Sequence, residues 1–229
     1  MTLEPFHDRV AQRVRQIDDE HLFFFESITW DDFIPVGYNH APANDGIRSV
    51  LSYHYYDPPN LNIENHFKTR AFDTERLGCG GFLTEFDAPG GSAVEIMDNA
   101  DAHLQSWQGW EYKHFIAITG YDDPFFNKDG SLKLDNVLIH SRTYAHAVAG
   151  RTKLMNFNHT SSAFKLEYDV LEENIGVPTI IYYNKELRYS KGVEFIVSDY
   201  ANLTFVGDNY IHIEYSKKGT VSFMMSPRK

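Results

Sequence analysis

The chain has 229 residues, with 21 Lys and Arg against 32 Asp and Glu, a formal net charge of −11 and 42% apolar residues. That is enough for one large or two modest packed domains, and its acidity disfavours nucleic-acid binding, which needs a basic face. No apolar run nears the roughly 20 residues of a membrane-spanning helix, and the single cysteine, Cys79, excludes an internal disulfide and any multi-cysteine metal site. The charge is uneven. Residues 1–150 carry 11 basic and 23 acidic side chains, whereas residues 151–229 carry 10 and 9, a shift that predicts two units, 1–150 and 151–229.

Phe6, Val10, Val14 and Ile17 stand at helical spacing and predict a helix over 5–17. Leu22-Phe23-Phe24-Phe25-Glu26 is a short continuous apolar run of the kind that forms a strand buried on both faces. An irregular stretch covers 31–48. Val50 to Tyr56 predicts a second strand, stopped by Asp57-Pro58-Pro59, and a helix follows over much of 61–76. Gly81 to Phe86 predicts a third strand, ended by a turn at Ala88-Pro89-Gly90-Gly91. Ser92 and Glu95 have capping-box spacing, and Ala93, Met97, Ala100 and Leu104 mark one face of the helix they open. Trp107 to Tyr112 predicts a fourth strand, and 131–143 one more helix.

Strand and helix alternating at intervals of roughly 30 residues indicate parallel βα units. After about residue 150 the pattern changes. Ala163–Tyr168, Thr179–Tyr183, Val193–Val197, Tyr210–Tyr215 and Val221–Met225 predict strands without helices between them. In one of these, Ile211, Ile213 and Tyr215 share a face, the alternation of an antiparallel sandwich with one wet surface. Cys79, within Gly78-Cys79-Gly80-Gly81, is read as a buried, inert thiol. Two sequons, Asn158-His159-Thr160 and Asn202-Leu203-Thr204, fall in the second unit, and Met1–Arg15 is mixed and charged rather than patterned as a signal peptide.

Four polar or aromatic features fall at the carboxyl ends of the four proposed parallel strands: Glu26, His54 with Tyr56, Glu85, and Trp107 with Trp110. Parallel βα barrels gather their catalytic groups at that end. His54 and Tyr56 are two residues apart and so project to the same side of a strand.

Ser52-Tyr53-His54-Tyr55-Tyr56-Asp57-Pro58-Pro59, Arg76-Leu77-Gly78-Cys79-Gly80-Gly81-Phe82-Leu83-Thr84-Glu85-Phe86 and Ser106-Trp107-Gln108-Gly109-Trp110-Glu111-Tyr112-Lys113, in this order and spacing, resemble endoglycoceramidase-related enzymes of glycoside hydrolase family 5. Phe25-Glu26 and Tyr144-Ala145-His146-Ala147-Val148-Ala149-Gly150 extend the resemblance, which continues into a trailing β-domain. It implies a partial (β/α)8 TIM barrel, strands five to eight, followed by a small C-terminal antiparallel β-sandwich. It also implies that Glu85 is the nucleophile of a retaining β-glycosidase. His54 and Tyr56 would be the His-x-Tyr pair whose tyrosine orients the nucleophile, and Trp110 the sugar-stacking tryptophan, with Trp107 and Glu26 as neighbours in substrate binding. A retaining enzyme needs a second carboxyl about 5–5.5 Å from the first as acid/base.

The family's acid/base glutamate follows an asparagine, and this sequence contains no Asn-Glu dipeptide. The chain is therefore expected to be a truncated form, weakly active or inactive in isolation. The implied substrate is a glycosphingolipid or another β-glucoside, with peripheral membrane contact, no metal or cofactor and no nucleic acid. A β-glucan or steryl glucoside substrate, or glycolipid binding without cleavage, are the alternatives. The family and the sequons together imply a secreted or lysosomal setting.

Overall fold

The computed structural model describes residues 3–26, 31–87, 92–114 and 122–229. The expected turn at 88–91 lies outside the described residues. The chain divides into two compact units, Met1–Ala88 with Gln105–Tyr112, and Pro89–Leu104 with Lys113–Lys229.

The first unit is built on a four-stranded parallel sheet in the order β1 (Phe23–Glu26), β2 (Ser49–Tyr55), β3 (Gly80–Phe86) and β4 (Ser106–Trp107). Phe25 pairs with Leu51, Leu51 with Gly81, and Leu83 with Trp107. A helix, α1, spans Glu4–Val14, with Pro5 in its first turn, where the missing N–H costs nothing. A second, α2, spans Ile63–Leu77; the Asn62 side chain caps its start by accepting from Asn65 N–H, and Gly78 ends it at φ 64°, a left-handed conformation natural to glycine. The buried positions of α2 are His66, Phe67, Arg70, Asp73, Thr74 and Leu77, a helical stripe in which only Phe67 and Leu77 are apolar. Phe25, Val36, Tyr38, Leu51 and Leu77 form one buried cluster of this unit.

Two expectations for these strands need correction. β1 is not buried on both faces: Phe25 is 2% exposed, but Phe24 is 46% exposed and Leu22, 55% exposed, lies before the strand. The fourth strand is only Ser106–Trp107; beyond it, the backbone follows β3 through Gln108 N–H to Leu83 O and Trp110 N–H to Phe86 O, without a continuous ladder.

The second unit contains α3 (Ser92–Ala102), α4 (Leu134–His140) and two four-stranded antiparallel sheets. Leu104 falls outside the helix it was expected to extend and is 41% exposed, whereas Ala93, Met97 and Ala100 are fully buried. The strands are β5 (Tyr144–Ala147), β6 (Arg151–Phe157), β7 (Phe164–Val170), β8 (Thr179–Tyr182), β9 (Val193–Val197), β10 (Ala201–Val206), β11 (Tyr210–Tyr215) and β12 (Gly219–Pro227). One sheet runs β10-β11-β8-β5 and the other β6-β7-β12-β9. Alternate residues of β7, β11 and β12, from Phe164, Leu166 and Tyr168 to Ile211, Ile213, Val221 and Phe223, make one buried cluster shared by both sheets. β5, which precedes residue 150, pairs with β8 and so joins this unit. At Gly150 the backbone holds φ 145°, and a Cβ there would lie 2.0 Å from the Asp169 carbonyl oxygen. Arg142, 3% exposed, donates to Asp98 at 2.8 Å and Asp101 at 2.6 Å, tying the chain ahead of β5 to α3.

Candidate active site

The site is assembled on three adjacent parallel strands of the first unit. A register shift on the β2–β3 pair decides its geometry. Tyr53 lies across from Leu83, but His54 lies across from Glu85, so Thr84 is the extra residue of a β-bulge. Side chains alternate along a strand, and one inserted residue turns the next side chain to the opposite face. The bulge therefore brings Glu85 level with His54. Thr84 Oγ1 donates to Tyr53 O at 3.2 Å across the irregularity.

Three of the four strand-end features converge. The Tyr56 hydroxyl donates to Glu85 Oε1 at 2.8 Å. His54 Nδ1 lies 3.7 Å from the same carboxylate oxygen, and its Nε2 lies 3.6 Å from Glu26 Oε1 at the end of β1. One imidazole thus sits between two carboxylates, with side-chain exposures of 22% for His54, 31% for Glu85 and 49% for Glu26. Burial, the hydrogen bond to Glu85 and the charges of Glu85, Asp87 and Glu111 raise the Tyr56 phenol above its ordinary range. Tyr56 is therefore a protonated donor at neutral pH and holds one carboxylate oxygen of Glu85 in place.

The fourth feature divides. Trp110 is 49% exposed, and its backbone is bridged to Asp87, two residues beyond Glu85. An exposed indole beside a carboxylate can offer an apolar face to the C–H groups of a sugar. Trp107 instead packs edge-on against buried Phe86, with centroids 5.8 Å apart. Tyr53 and Tyr55, neighbours of the site in sequence, are buried against α2, where they meet Phe67 and His66.

Sequence reasoning missed the groups behind the site. Tyr38, buried and with its phenol pushed up to about 12 by burial and by the Glu4 and Glu26 charges, donates to Glu26 O at 2.9 Å and meets His7 Nδ1 at 2.7 Å. Asp32, Asn60 and His66 form a buried polar cluster below Tyr56. Asp32 falls in the irregular stretch 31–48, where no periodicity marks it. Cys79 is partly buried, and desolvation raises its thiol, as suits an unreactive side chain. Among the described residues, no group of three or more His, Cys, Asp or Glu is placed to hold a metal ion, and no helix is long and apolar enough to cross a membrane.

A carboxylate hydrogen-bonded to a phenol and 3.7 Å from an imidazole thus stands at the carboxyl ends of parallel strands, the end at which parallel βα barrels gather their catalytic groups. Residues 142–223 match the glycoside hydrolase family 5 C-terminal domain. The chain is related to the endoglycoceramidases of that family. It is 38% identical over 206 residues to an endoglycoceramidase from Hydra vulgaris, covering 86% of this chain and 39% of that protein. It is 37% identical over 230 residues to one from Cyanea nozakii, covering 94% and 45%. The chain thus spans less than half the length of these curated relatives. Endo-glycoceramidase II from Rhodococcus sp., solved as a ganglioside GM3 complex, shares the fold at a TM-score of 0.78 and 17% identity, over 99% of this chain and 54% of that one. Sterylglucosidase 1 from Cryptococcus neoformans shares it at 0.69 and 13%, over 96% and 43%. The parallel βα unit is accordingly part of a barrel, and a C-terminal domain follows it.

Proposed function

We propose that this chain carries the nucleophile side of a retaining β-glycosidase that hydrolyses glycosphingolipids. The observation that carries the proposal is the Tyr56–Glu85 hydrogen bond of 2.8 Å, with His54 3.7 Å from the same oxygen, at the ends of adjacent parallel strands. The Glu85 carboxylate attacks the anomeric carbon, forming a glycosyl ester as the bond to the lipid oxygen breaks. A second carboxyl protonates that oxygen as it leaves and then takes a proton from water, which cleaves the ester and restores Glu85. No residue of these 229 is assigned the acid/base role; the Asn-Glu pair that marks it in the family is absent from the sequence. Trp110 stacks on the sugar at the cleaved bond, and Glu26, through His54, lines the rim that receives the sugar hydroxyls.

The barrel portion is read as strands five to eight, and the two sheets of the second unit as a β-sandwich. A secreted or lysosomal setting, with peripheral contact to a lipid surface, accords with the named activity of the relatives. Cleavage of steryl glucosides is the second reading, favoured by the fold shared with sterylglucosidase 1.

A 2,4-dinitrophenyl 2-deoxy-2-fluoro-β-glucoside tests the nucleophile without needing an acid, because its leaving group departs unprotonated. Peptide mapping should find the glycosyl label on Glu85, and Glu85→Gln should abolish it. An unlabelled wild-type chain, or label that persists in Glu85→Gln, overturns the assignment. Glucosylceramide and steryl glucoside used as competitors of labelling then separate the two readings.

A further inference from the structure

Behind the site, the chain that carries Tyr56 is held by a buried carboxylate that takes no part in the chemistry above. Asp32 is 4% exposed. Its Oδ1 accepts from Asn60 Nδ2 at 2.8 Å and from His66 Nδ1 at 3.1 Å. Its Oδ2 accepts from Leu61 N–H at 2.7 Å and Asn62 N–H at 2.8 Å. Asn60, 1% exposed, then clasps Tyr56 at both backbone groups: its Oδ1 accepts from Tyr56 N–H at 2.9 Å, and its own N–H donates to Tyr56 O at 2.7 Å. A continuous line of hydrogen bonds thus runs from Asp32 through Asn60 to Tyr56 and on to Glu85.

We propose that Asp32, acting through Asn60, is a positioning residue that sets where the Tyr56 hydroxyl meets the nucleophilic carboxylate. The proposal rests on Glu85 being that nucleophile, although the geometry it describes is independent of turnover. Asp32 suits the task. Burial alone would raise its carboxyl, but the N–H donors of Leu61, Asn60 and Asn62 outweigh burial and keep it ionised. Its partner His66 is held neutral by burial, with a pKa of about 4, and so presents one fixed donor. The loop is anchored from below by four donors rather than by packing alone, so Tyr56 has little freedom to leave Glu85. A plainer role would be support for the start of α2, since Leu61 and Asn62 precede its first turn. That role predicts a loss of stability but no specific change at Tyr56.

The experiment labels tyrosine ring ζ carbons with 13C in the full chain and identifies the Tyr56 resonance by its loss in Tyr56→Phe. In the wild type, with the Glu85, Asp87 and Glu111 carboxylates facing the phenol, Tyr56 should stay protonated at about pH 11, where exposed tyrosines are largely ionised. In Asp32→Asn and in Asn60→Ala it should ionise alongside the exposed tyrosines, and labelling of Glu85 by the fluoroglucoside should slow about ten-fold or more. Leu77→Ala, which loosens the buried face of the same helix at its far end, away from the network, should leave Tyr56 as in the wild type. If Asp32→Asn does not fold, Asn60→Ala decides alone, since it leaves three of the four donors to Asp32 in place. Unchanged Tyr56 ionisation in the network variants, or an equal change in Leu77→Ala, overturns the proposal. Absence of label on wild-type Glu85 would refute the nucleophile reading but leave the Tyr56 measurement meaningful.

Discussion

Acid should loosen the first unit through His66, by an amount that can be worked from its surroundings. The ring is 0% exposed and packed among Tyr53, Tyr55 and Phe67, with centroids 5.5, 5.3 and 6.3 Å away. Burial, then repulsion by Arg70, pulls its pKa from 6.5 to about 4, against the opposing pull of Asp32. Because the folded value lies below the unfolded one, the folded state favours the neutral ring. Its contribution is complete above pH 6.5 and is lost as pH falls from there to about 4. At 1.36 kcal/mol per pKa unit, the loss across that window is about 3 kcal/mol, against a total stability of roughly 5–15 kcal/mol for a domain. Urea unfolding of the wild type and of His66→Asn, at several values between about pH 7.5 and pH 4, measures it. The asparagine amide can replace the Nδ1 donor to Asp32 but cannot take up a proton. His66→Asn should be the less stable protein at neutral pH, because it loses the ring contacts. Its deficit should shrink by about 2–3 kcal/mol as pH falls to 4. Other carboxylates titrate in both proteins and cancel in the difference. Parallel curves would refute the reasoning.

Two further outcomes concern the second unit. Arg142→Leu leaves Asp101, 3% exposed, without its cation and should cost about 3–5 kcal/mol in urea unfolding, part of which Asp101→Leu in the same chain should restore. A loss below about 1 kcal/mol would show that the pair is solvated. Gly150→Ala drives a methyl carbon to 2.0 Å from the Asp169 carbonyl at a positive φ and should cost about 2 kcal/mol or more, read as a lowered midpoint of thermal unfolding; an unchanged midpoint would mean that the β5–β6 junction yields freely.

Much of the molecule was legible in its sequence, and the parts that were not share a physical cause. The strands read correctly in the second unit include its central ones, β7, β8, β11 and β12, whose alternation is enforced by burial of one face. The three that escaped, β5, β6 and β10, are all edge strands. With a neighbour on only one side, Arg151–Phe157 buries only Phe157 and Ala201–Val206 buries no side chain, so burial does not impose on them the apolar alternation that marks the central β7. Likewise, Phe23–Phe25 looks like a strand buried on both faces, but whether a second layer covers Phe24 is not a local property of three phenylalanines.

At the candidate site, local pattern placed Glu26, His54, Tyr56 and Glu85 at the ends of their strands, because strand length and the Gly and Pro stops are written in neighbouring residues. It could not say that Glu85 and Tyr56 would touch. That depended on Thr84 bulging out of the β2–β3 ladder, a register choice made between two strands rather than within either. Nor could it reveal Asp32, whose ionised, buried carboxylate is tolerable only because residues 28 to 34 positions further along the chain return four N–H donors to it. The order of elements and the identity of the strand-end groups come from sequence-local preference. The contact between the Glu85 carboxylate and the Tyr56 phenol, and the scaffold beneath it, come from pairings that exist only once the chain has folded.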